Sequence, residues 1–105
     1  MLLLDDDDEL ALVPTAHEAG FAASLGGEGI AAIDERLLRH ASAAPHKVAR
    51  VIDEALEEAG FDPWEDGCVE LHARRVIALV EAGRLQGFGR LRKPRWSEVR
   101  LPIAP

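Results

Sequence analysis

The chain has a single cysteine, Cys68, so no disulfide can staple it internally, and a reducing compartment suits it. Long apolar runs are missing too. Residues 1–4 are apolar, but the run stops at Asp5-Asp6-Asp7-Asp8-Glu9. A secretory leader needs a basic start and a longer apolar stretch, and a spanning helix needs about 20 apolar residues. The expectation is therefore a cytoplasmic protein with no membrane contact. The paired Cys/His spacings of a zinc site are absent. Cys68 and His72, four apart on a helix, offer only two ligands. No serine sits in a nucleophile-elbow motif. The aspartate run lacks the Gly-centred loop of a calcium site and reads as a solvated turn. Gly26-Gly27-Glu28-Gly29 lacks the buried strand and the spacing of a phosphate loop, and reads as a hinge. No catalytic centre, metal site or cofactor is expected, and the chain does not read as an enzyme.

What is present fits one modest globular domain. At 105 residues, 48 % apolar and 30 % charged, the chain can bury a single core and is not disordered throughout. The net charge of −7 is unevenly spread. Residues 1–67 carry 16 acids and 4 bases, whereas residues 68–105 carry 3 acids and 8 bases. An acidic front favours basic partners and repels phosphate backbones, and the basic tail does the reverse.

Along the chain, residues 9–13 are expected to form a short strand before Pro14, paired with residues 2–4. Thr15 and Glu18 have the spacing of a capping box, in which the Thr15 hydroxyl takes an orphan amide and the Glu18 carboxylate reaches back to the Thr15 amide. The helix this starts should fail at Leu25-Gly26-Gly27. Ile30, Ile33, Leu37 and Ala41 mark a second amphipathic segment. Pro45 suits the first position of the next helix. There Val48, Val51, Ile52, Ala55, Leu56 and Ala59 form the apolar face and Gly60 a left-handed stop, with Phe61 folding back. A further helix over residues 69–82 buries Val69, Ala73, Val76, Ile77 and Val80, and Glu70 and Arg74 are spaced for an ion pair. Alternation over residues 85–89 and 97–101 predicts two strands, with Val99 and Leu101 inward. Between them lies the basic connection Arg90-Leu91-Arg92-Lys93-Pro94-Arg95-Trp96.

These elements predict a mainly α (α+β) fold. Its winged-helix-like domain, residues 30–105, has a three-helix core and a C-terminal two-stranded wing, and residues 1–29 are a small acidic appendage. Asp34-Glu35-Arg36-Leu37-Leu38, Lys47-Val48-Ala49-Arg50-Val51-Ile52, Leu79-Val80-Glu81-Ala82-Gly83-Arg84-Leu85 and the closing Ser97-Glu98-Val99-Arg100-Leu101-Pro102 together resemble an uncharacterised bacterial domain family. The resemblance covers residues 34–102 and implies no activity and no residue roles.

Two functional readings follow from charge. In the first, a small acidic protein acts as an immunity or antitoxin-type inhibitor that occludes a basic surface on a protein partner such as a toxin. Asp53, Glu54, Glu57 and Glu58 on the second main helix, with Asp62, Glu65 and Asp66 in the following loop, would steer the encounter. Trp64 reads first as a lid over the core, and alternatively as a binding anchor. In the second reading the chain is a DNA-binding regulator. It would use Arg74 and Arg75 on the last helix, with Arg84, Arg90, Arg92, Lys93 and Arg95 in and around the wing. A net charge of −7 and a pI near 5.0 argue against it, because small DNA-binding domains carry a basic footprint. A structural oligomer held together by an apolar patch near Phe88 and Trp96 is a third possibility.

Overall fold

The computed structural model describes residues 8–103. Its elements are helix α1 (Ala16–Arg39), strand β1 (His46–Lys47), helix α2 (Val48–Ala59), helix α3 (Cys68–Glu81), strand β2 (Gln86–Gly89), a 3₁₀ turn (Pro94–Trp96) and strand β3 (Ser97–Arg100). The fold is mainly helical, with one small antiparallel sheet in the order β1-β3-β2.

Helix α1 starts where the capping signal places it, since the Thr15 hydroxyl accepts from the Glu18 amide at 3.2 Å. The reciprocal half of the box does not form. The Glu18 carboxylate is buried and turned toward α3, for a reason given below. The break expected at the glycines is a kink inside α1, where Gly26 takes φ 69° and ψ −179°. Ile33 and Leu37, beyond the kink, are fully buried, and Phe21, before it, belongs to the same core. Residues 9–13 form no strand. Leu10 instead drops its side chain into the core, and its amide donates to the Arg92 carbonyl at 2.7 Å. The strand partner expected at residues 2–4 lies outside the described residues.

Helix α2 begins at Val48, not at Pro45. The two residues before it are drawn into the sheet, His46 opposite Val99 and Lys47 opposite Glu98. The Leu101 amide then donates to the Ser42 carbonyl at 2.8 Å, along the same edge. That backbone pull leaves Leu101 at the surface, where an inward position was expected. Val99 does point inward. The apolar face of α2 packs as read, with Val48, Val51, Ile52 and Ala55 fully buried. Gly60 closes the helix in the left-handed region, and the Phe61 amide returns to the Leu56 carbonyl at 3.1 Å. The Phe61 ring meets Phe21 edge-on at 5.9 Å and His72 at 5.5 Å.

Helix α3 runs through the middle of the core. Val69, Ala73 and Val76 are buried as expected, while Ile77 and Val80 are only partly covered; Leu71, His72 and Leu79 complete the buried face. Gly67 precedes the helix with φ 86°, and a Cβ there would lie 2.4 Å from the His17 carbonyl oxygen. Only glycine allows the two helix starts to approach this closely.

Candidate functional site

The acidic residues gather at one corner, formed by the outer face of α2 and the α2–α3 loop, but they are not equivalent. Glu58 pairs with Arg39 and with His40 Nε2, the latter at 3.0 Å. Glu54 accepts from Arg50 Nε at 3.0 Å and lies 3.4 Å from His40 Nδ1. Arg39 holds the Glu58 carboxyl below its ordinary range, and Arg50 does the same for Glu54. Both charges are thus matched within the chain. Asp53 and Glu57 are exposed and make no ion pair among the described residues. They rim a shallow hollow whose floor is Leu56, Phe61 and Pro63.

The loop continues this surface. Asp62 Oδ1 accepts from the Trp64 amide at 2.9 Å, and the Asp62 carbonyl accepts from the Glu65 amide at 3.1 Å. Such an Asx turn fixes the backbone that carries Trp64. The indole is 67 % exposed, so Trp64 is no lid. Phe61 already fills the space over the core, and the turn directs Trp64 outward. Glu65 is exposed beside it, and Asp66 makes only a 3.9 Å contact with the exposed His17.

The basic candidates divide differently. Arg74 donates to both Glu18 oxygens at 2.9 Å, and Arg75 to both Asp34 oxygens at 2.9 and 2.8 Å. The expected pair of Arg74 with Glu70 is replaced by this cross-helix fork. Bonding to Asp34 also makes the Arg75 guanidinium still harder to deprotonate. Arg90 donates to Glu9 at 2.9 Å, and Arg92 to the Leu10 carbonyl at 3.1 Å. Both arginines of the α3 polar face are therefore occupied by α1, and two of the connection's arginines by the N-terminal segment. Arg84 and Arg95 are exposed and Lys93 half-buried.

Cys68 is buried, and burial pushes its thiol up to about 12, which leaves it an inert neutral packing group. His72 is buried behind it. Its Nδ1–H donates to the Cys68 carbonyl at 2.8 Å, and Nε2 has no hydrogen-bond partner among the described residues. Burial holds the imidazole below its ordinary value, with the Arg36 charge acting the same way.

Two features escaped the sequence reading. One is the hollow beside Asp53 and Glu57, whose floor depends on how Phe61 folds back. The other is on the sheet, where the patch expected near Phe88 and Trp96 carries cations over its rings, Arg100 over Phe88 at 5.3 Å and Lys47 over Trp96 at 6.0 Å. Lys47 was hidden from that reading because β1, at two residues, has no periodicity to detect. No protein-family model, curated protein or solved structure matches this chain. The roles of its residues therefore rest on geometry alone.

Proposed function

We propose that the chain is a winged-helix-type module whose acidic corner binds a basic surface on another protein, and that it acts as an inhibitor of the immunity or antitoxin kind. The order helix-strand-helix-helix-strand-strand, with β3 between β1 and β2, supports the winged-helix assignment. The observation that carries the function is Trp64, 67 % exposed on a turn held by Asp62. Its neighbour Pro63 lines the hollow that Asp53 and Glu57 rim, Glu65 follows it in the chain, and these three carboxylates make no ion pair among the described residues. Interface hot spots are typically such aromatic anchors, and surrounding charge sets the rate and register of encounter. A basic cleft on an effector would be occluded by this corner.

The alternative, a DNA reader, needs α3 in the major groove. Its Arg74 and Arg75 are each held by a bidentate carboxylate, which removes the donors that would read guanine edges. The inhibitor reading is tested by capturing tagged protein from its native cells with and without nuclease, then titrating the recovered partner. A stoichiometric partner whose affinity falls about 100-fold or more with W64A, in the range of a strong hot spot, is the expected result. Equal affinity for W64A, or recovery of nucleic acid alone, would overturn it.

No helix among the described residues is long and apolar enough to cross a membrane.

A further inference from the structure

The outer face of the sheet brings aromatic rings and cations together. Lys47 and Phe88 flank Glu98 on either side, one on β1 and the other on β2. Arg100 lies on the same face opposite Gln86, to which its Nε donates at 2.7 Å. The Lys47 ammonium sits over the Trp96 ring, which places Trp96 on this face as well. Phe88 is 38 % and Trp96 60 % exposed. Lys47 and Arg100 therefore flank Glu98 on this face, on a chain whose net charge is −7.

We infer that this face binds single-stranded nucleic acid. Every base has a π-face, and exposed aromatic rings set among cations are the surface on which successive unpaired bases stack while the cations meet the phosphates. Neighbouring strands lie about 4.8 Å apart, so Lys47 on β1 and Phe88 on β2 stand about 10 Å apart across Glu98, with Trp96 beside Lys47. Sheet-borne aromatics elsewhere stack two or three bases. A duplex fits poorly, because its base faces are already stacked inside. A second copy of the chain fits poorly too, since two faces of the same positive sign would meet. The site uses Lys47, Phe88, Trp96 and Arg100, none of which belongs to the acidic corner, and does not rest on the inhibitor reading.

The test is fluorescence anisotropy of a labelled 12-nucleotide oligothymidine with the intact protein, alongside the matched duplex. The expected result is saturable binding of the single strand, weakened by salt with a log–log slope of about −1.4 for roughly two phosphates. Part of the tryptophan emission should be quenched on binding, and that quenched part should be missing in W96F. W96A and F88A should each weaken binding about tenfold or more, within the range for losing one stacked base, while each still melts in one cooperative transition well above the assay temperature, so that the loss is read on folded protein. Four outcomes would overturn the inference: no change in anisotropy, equal binding of the duplex, undiminished binding by W96A, or a concentration-dependent dimer that W96A dissolves.

Discussion

Arg74 and Glu18, 56 positions apart in the chain, form a two-bond fork with both distances at 2.9 Å. Glu18 is 3 % exposed and Arg74 21 %, so the pair joins the start of α1 to the middle of α3 largely away from water. It explains why the capping box is only half made. A carboxylate offered a buried guanidinium gains two charge-assisted bonds, where the Thr15 amide offers one neutral bond at a solvated helix end.

Removing one partner leaves the other charge buried and uncompensated. R74M is expected to destabilise the fold by about 3 kcal/mol, the low end for breaking a buried pair. The double variant E18L/R74M should recover most of that loss, because apolar side chains of similar volume can replace such a pair at little cost. Urea unfolding of the three proteins checks both statements.

Acid should weaken the fold through His72. Its folded-state pKa lies below the ordinary value because the ring is buried. Between the two values the unfolded chain binds a proton that the folded chain does not. Stability is therefore full above about pH 6.5, the ordinary histidine value, and falls as pH drops from there toward the folded pKa. H72F keeps a ring against Phe61 and removes the titration. Its unfolding midpoint should change less between pH 7 and pH 5 than that of the parent. An equal drop in both proteins would assign the acid sensitivity to other groups.

Two glycines with similar backbones separate strain from crowding. Gly60 and Gly67 have φ of 72° and 86°, but a Cβ on Gly60 meets open space, whereas one on Gly67 meets the His17 carbonyl oxygen at 2.4 Å. G60A should cost about 1 kcal/mol, from the left-handed conformation alone. G67A should cost clearly more, since α1 must also move away. Thermal melting of the two single variants makes the comparison.

The elements that sequence made legible are those with a period or a chemical stop. The apolar face of α2, its end at Gly60, the cap at Thr15 and the inward Val99 are all of this kind. What it hid are pairings between distant parts. Residues 9–13 look like a strand by composition, yet with Leu10 anchored in the core and its amide on Arg92, no ladder forms. The basic side of α3 looks like a groove-reading surface until α1 supplies Glu18 and Asp34. Likewise, the four acids of α2 read as one strip. Only the positions of Arg39, His40 and Arg50 divide them into matched and unmatched charges.

That division yields the sharpest test of the acidic corner. Asp53 and Glu57 make no ion pair among the described residues, so their charge is available to a basic partner, and they flank the hollow next to Trp64's loop. Glu54 and Glu58 are already paired and would have to release Arg50, Arg39 or His40 to serve a partner. D53K/E57K should therefore slow association and weaken the complex by about 100-fold or more, since reversal places like charges together across the interface. E54Q/E58Q should weaken it severalfold at most. D53K/E57K alters only the solvated face of α2, and E54Q/E58Q gives up surface ion pairs that are each worth about 1 kcal/mol or less, so both melting temperatures should stay close to the parent's. Association rates for both, measured at low and physiological salt, decide the matter. If the E54Q/E58Q change proves the more damaging, the matched acids are the contact surface, and the partner competes with Arg39 and Arg50 for them.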